Sequence, residues 1–73
     1  MRYKKGDTPT VKSDLEINKR YEVGYFNNSM YRFKGEKVTI SYVSHRFYRI
    51  EEDGGIWTWV DKMFEEVEGK DEL

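Results

Sequence analysis

From Lys37 to Val43 polar and apolar side chains alternate, so that Val38, Ile40 and Tyr42 share one face of an extended chain and Thr39 and Ser41 the other. A short turn near Ser44-His45 leads into Phe47–Glu51, which alternates again, with Tyr48 and Ile50 on one face and Phe47, Arg49 and Glu51 opposite. The two segments predict a hairpin. Asp53-Gly54-Gly55 follows, and glycine accepts the positive φ of a tight reversal at no steric cost. Ile56–Val60 is β-branched or aromatic at every position, which predicts a third strand and a meander over residues 37 to 60. Asp61-Lys62-Met63 breaks the pattern as a single helical turn would. Phe64–Glu68 then alternates apolar and acidic; the three-residue spacing of Phe64 and Val67, both expected to touch the core, predicts a bend.

Upstream, Thr8–Ser13 reads as an edge strand, because Pro9 cannot donate to a ladder while Thr and Val favour extended backbone. Residues 14 to 35 carry no clean period. They hold Leu15, Ile17, Tyr21, Val23, Tyr25 and Phe26, an Asn27-Asn28-Ser29 turn signal, and Met30-Tyr31-Arg32-Phe33. We read them as a long irregular excursion with one helical turn around Ser29–Phe33, and long connections in small domains often carry function.

Composition narrows the class. The chain has 73 residues, 37% hydrophobic and 37% charged, with six Tyr, four Phe and two Trp. That is a single small domain with too many aromatic residues for a disordered one. It has no cysteine, so packing and strand pairing must stabilise it without disulfides or thiolate metal ligands. Net charge is −1, yet residues 1 to 49 hold 11 Lys and Arg against 5 Asp and Glu, and residues 50 to 73 hold 2 against 9. Cross-strand pairing between the two halves is the expected sink for this asymmetry. No apolar run is long enough for a membrane span or a secretory signal, so a cytoplasmic location is expected. The closing Lys70-Asp71-Glu72-Leu73 is read as coincidental to the retention tetrapeptide it spells.

The order of parts is one N-terminal strand, a long excursion, three meander strands, a helical turn and a short last strand. That is the order of a five-stranded SH3-like barrel, which limits exposed edges by closing on itself. The expectation is an all-β fold with residues 1–7 as a flexible N-terminus, 8–68 as the barrel and 69–73 as a charged tail. Gly35-Glu36-Lys37-Val38-Thr39-Ile40 together with the run from Tyr48 to Glu65 resembles small proteins of phages and prophages of Gram-positive bacteria. These share a pattern close to G-x-x-V-T-I, Y-x-I-x-E-D-G and W-x-W-x-x-x-M-F-E. Residues 7 to 34 match only loosely, through Gly6-Asp7, Val11, Ser13-Asp14-Leu15 and Tyr21. The motifs are structural in kind, so the resemblance implies fold and origin rather than an activity. The Ala-Leu-Tyr-Asp-Tyr segment of peptide-binding SH3 domains is missing, so proline-peptide recognition is not implied.

Catalytic groups are scarce. His45 is the one histidine, in an expected hairpin turn, and without a base a Ser or Thr nucleophile has nothing to activate it. Glu51-Glu52-Asp53 lacks the alternating oxygen spacing of a calcium loop, so neither a metal nor a cofactor is expected. Trp57 and Trp59 fall on one strand face, opposite Ile56, Thr58 and Val60. Either at least one packs in the core, the favoured reading, or both join Tyr25, Phe26 and Tyr31 in an exposed platform.

The expected function is a non-catalytic interaction module that binds, and can inhibit, a host protein, with components of a defence system among the targets the phage resemblance implies. The expected contact residues are Tyr25, Phe26, Tyr31, Arg32 and Trp57. The alternative is a small-barrel nucleic-acid binder using Lys34, Lys37, Arg46, Phe47 and Arg49, whose cations would meet phosphates beside stacked bases. A monomer or weak homodimer is expected.

Overall fold

The computed structural model describes residues 2–66. It is built on two antiparallel two-stranded sheets with little helix, an all-β architecture. Strands β1 (Lys19–Tyr21) and β2 (Gly24–Phe26) pair with Lys19 opposite Phe26 and Tyr21 opposite Gly24. Strands β3 (Ile40–Val43) and β4 (Tyr48–Ile50) form the hairpin anticipated from the alternating pattern. The 3-10 helices η1 (Asn28–Phe33) and η2 (Asp61–Met63) lie where the two helical turns were expected. Asn27 starts η1: its Oδ1 accepts from the Met30 N–H at 3.1 Å, and Met30 then drops its side chain into the core.

The first hairpin was not anticipated. It lies inside the stretch read as irregular, and its two-residue loop Glu22-Val23 has Glu22 at φ 56°, a left-handed conformation that sequence rules assign to glycine.

Residues 6 to 12 bind the two halves of the chain together. On one side Ile40 and Val38 N–H groups donate to the Asp7 and Pro9 carbonyls, and Val11 N–H donates to Glu36. On the other side Lys12 N–H donates to Met63 and Glu65 N–H to Thr10. The segment expected at an edge is therefore hydrogen-bonded on both flanks, and Pro9 costs only one donor in that arrangement. Residues 2–7, expected as a flexible lead-in, also pack: Tyr3 is buried with its ring edge-on to Tyr48 and Phe64, at centroid distances of 5.9 and 5.6 Å. Residues 67–73, which include Val67 and the predicted tail, lie outside the described residues.

The core centres on Trp59, fully buried, stacked on Phe64 at 5.9 Å and edge-on to Phe26 and Phe33. Burying a Trp requires a partner for its N–H. Asp53 supplies it: Oδ2 accepts from Trp59 Nε1 at 2.9 Å, while Oδ1 accepts the Gly55 and Ile56 N–H groups. One buried carboxylate thus holds the Gly54-Gly55 turn and anchors the central ring. Of the predicted third strand, Trp59 alone pairs, exchanging both backbone bonds with Tyr48. Trp57 is half-buried against the core.

One register shift breaks the expected alternation. Ile40 opposes Ile50 but Tyr42 opposes Arg49, so Ser41 is an extra residue on β3. The bulge reverses the alternation. Tyr42, expected on one face with Val38 and Ile40, is 56% exposed while those two are buried, and Val43 packs against the core.

Candidate functional site

Because Ser41 turns Tyr42 outward, the outer face of the β3–β4 hairpin carries two rings and a cation in contact. Tyr42 and Phe47 lie with ring centroids 6.4 Å apart, and the Arg49 guanidinium sits 4.8 Å from the Phe47 centroid. Arg49 is also fixed from its far side: Nη1 donates to the Ile56 carbonyl at 3.3 Å and to Thr58 Oγ1 at 3.2 Å. Its Nε and Nη2 have no acceptor among the described residues. A guanidinium held by stacking and two hydrogen bonds, whose remaining edge donates to no described residue, suits a planar anionic group. Beside it stand Tyr42 and Ile56, the latter 65% exposed.

A second cation and ring grouping lies on η1. Lys34 Nζ stands 4.7 Å from the Tyr31 centroid and Arg32 lies 4.3 Å from that of Phe33, with Tyr31 itself 53% exposed. Across residues 32 to 49, none of Arg32, Lys34, Lys37, Arg46 and Arg49 forms an ion pair among the described residues. Three of the five rest on aromatic rings instead. The expected cross-strand neutralisation of the basic half is not found here. The ion pairs that do form engage Arg2, Lys4 and Lys19.

The expected contact residues divide. Tyr25, at 58% exposure, Tyr31 and Arg32 are on the surface, and Trp57 is half-accessible. Phe26 is fully buried against Trp59 and leaves the expected surface, because Gly24 and Phe26 share the inward face of β2 while Tyr25 points away. Tyr25, Tyr31 and Trp57 make no ring contact with one another among the described residues. The alternative basic patch divides as well. Lys37 bridges to Thr10 beyond the Ile40 end of the hairpin, whereas Arg46 lies in the turn beyond Val43, so the whole of β3 lies between them. Phe47 and Arg49 do meet. Tyr42 and Ile56 were missed: Ser41 offers no sequence signal for a bulge, and Ile56 reads as an ordinary strand residue.

Elsewhere the polar chemistry is structural. Tyr48 Oη accepts from the Tyr3 N–H at 2.9 Å and donates to Asp61 Oδ1. Burial first, and the bond to Asp61 second, raise its pKa well above the ordinary tyrosine value. Arg2 clamps the same carboxylate and donates from Nη2 to the Asp61 carbonyl at 2.7 Å. An open cleft of about 420 Å³ adjoins this network, lined by Arg2, Lys12, Glu22, Asp61, Lys62 and Glu66. On the far end of the hairpin, burial disfavours a charged Glu52, but the Thr39 N–H and hydroxyl both donate to its carboxylate and leave its pKa lowered. No group of three metal-ligating side chains exists among the described residues, and His45 is exposed in the β3–β4 turn. No helix among them is long and apolar enough to cross a membrane. Comparisons with protein-family models, curated proteins and solved structures gave no match for this chain.

Proposed function

We propose that the chain is a non-catalytic protein-interaction module of phage type, built as a five-stranded SH3-like barrel and acting in the cytoplasm of a bacterial host by binding a host protein. The observation that carries this reading is the separation of the aromatic residues into two populations. Trp59, Tyr48, Phe26 and Phe64 complete a core whose polar atoms are satisfied among the described residues, while Tyr25, Tyr31 and Tyr42 are left more than half exposed beside unpaired cations. Tyr and Arg are the residues most enriched at interface hot spots. The barrel reading is supported by backbone hydrogen bonds of residues 6–11 to 35–40 on one flank and of residues 10–12 to 63–65 on the other, and by the bridge of Tyr48 with Trp59.

A nucleic-acid reading draws on the same unpaired cations. It is weakened by the distance between Lys37 and Arg46 and by a net charge of −1.

The test is a pull-down from host lysate with the tagged chain, with and without nuclease and at low and high salt. A stoichiometric protein that survives both treatments, and is lost on alanine substitution of one of Tyr25, Tyr31, Arg32 or Tyr42 at unchanged melting temperature, supports the module. Recovery of nucleic acid that disappears as salt rises overturns it in favour of the alternative.

A further inference from the structure

We infer that the outer face of the β3–β4 hairpin is the docking site for an acidic segment of a partner protein, one of whose carboxylates takes the open edge of Arg49 while a neighbouring apolar side chain packs on Tyr42 and Ile56. The inference rests on the interaction-module reading and gives it a place and a chemistry.

Three features carry it. Arg49 is pre-organised: Phe47 beneath it and the Ile56 carbonyl and Thr58 hydroxyl behind it fix the guanidinium plane, so little side-chain entropy remains to be lost on binding. Its Nε and Nη2 present the parallel donor pair that a carboxylate accepts in two hydrogen bonds, and no described residue accepts from that pair. The charge around it is uncompensated, since neither Arg49 nor Arg46 has an ion-pair partner among the described residues. An anionic partner is the complement.

A protein segment suits this face better than a nucleic acid. Nucleic-acid affinity grows with the number of phosphates neutralised, and this end of the hairpin offers two arginines, with Lys37 at the other end. A cation flanked by Tyr42 and Ile56, both more than half exposed, is instead the mixture of anchor and apolar contact found at protein interfaces. The exposure of Tyr42 follows from the Ser41 bulge, and bulges recur where a sheet re-aims a side chain toward a site.

The experiment selects displayed random peptides on the immobilised full chain and titrates the best binder, fluorescently labelled, against wild type, Arg49→Lys, Tyr42→Ala and Tyr31→Ala. Arg49→Lys keeps the charge and removes the fork. Tyr42→Ala removes an exposed ring and guards against a folding effect at Arg49, and melting temperatures are measured for all. The expected result is enrichment of Asp- or Glu-containing peptides whose affinity falls about tenfold or more in both hairpin variants and is unchanged in Tyr31→Ala. Peptides that bind wild type and both hairpin variants alike overturn the site and leave the interaction-module reading standing. Absence of any enriched peptide overturns the acidic-segment inference, and the lysate pull-down then decides the interaction-module reading. A labelled single-stranded oligothymidine that binds instead, with salt-steep affinity lost in Arg49→Lys, overturns the inference in favour of nucleic acid.

Discussion

Between residues 37 and 64 two large apolar side chains, Tyr42 and Ile56, stand exposed; the shorter stretch from 14 to 35 exposes four, Ile17, Val23, Tyr25 and Tyr31. The first region holds its buried polar groups in closed networks, with Asp53 serving Trp59 and Asp61 serving Tyr48. The second holds the two non-glycine residues with positive φ among the described residues, Asn18 and Glu22, and reaches the core through Leu15, Phe26, Met30 and Phe33. One region is specified by alternation and sealed by hydrogen bonds. The other is a clip pressed onto it, anchored at a few points and carrying backbone strain, so it should open locally at lower free energy.

That contrast can be broken at its strongest point. Trp59→Ala removes the central ring and strands the Asp53 carboxylate, and a loss of about 3–5 kcal/mol is expected, enough to unfold much of a domain this small in a urea titration followed by circular dichroism. Met30→Ala should cost about 2–3 kcal/mol. Amide exchange sharpens the comparison here: protection should fall across 14–35 first and persist in β3 and β4. Tyr48→Phe removes both hydrogen bonds of the buried hydroxyl, from the Tyr3 N–H and to Asp61, and should cost about 1–3 kcal/mol. The same residue sets an alkaline limit. Its folded pKa lies above the ordinary 10.0, so its stabilisation is complete below pH 10 and declines as pH rises toward the raised value; Tyr48→Phe should flatten that decline in melting temperature.

Two smaller changes probe the clip itself. A Cβ at Gly24 would stand 3.0 Å from the Thr58 carbonyl oxygen and 3.3 Å from its Cγ2, so Gly24→Ala should pry β2 from residue 58 at a cost of about 1 kcal/mol. Glu22→Gly relieves the left-handed strain and, after the added unfolded-state entropy, should stabilise by about 0.5 kcal/mol, whereas Glu22→Ala should not. A destabilising glycine would show that Glu22 is held by contacts rather than tolerated.

The comparison also explains what the sequence made legible. Strand β4 and both helical turns were readable because Tyr48-Arg49-Ile50, Asn27-Asn28-Ser29 and Asp61 express their structure through neighbours in the chain. The β1–β2 hairpin was not, because Glu22-Val23 lacks turn residues and adopts its conformation through docking of Gly24 and Phe26 on residues 58 and 59. Tyr25, Tyr31 and Arg32 were placed on the surface by residue type, and Phe26 was misplaced because its neighbour Tyr25 is equally aromatic. The Tyr42 and Arg49 pairing depends on one unpaired residue across the hairpin, a fact of register that no local pattern carries.

Ser41 therefore decides a question of parity. Strand side chains have two states, inward and outward, and a single inserted residue exchanges them for everything that follows on its strand. Insertion or loss of one residue here is a different kind of change from substitution. It would trade Tyr42 for Val43 as core and surface in one step, altering what the hairpin shows to solvent while the composition of the strand stays almost the same.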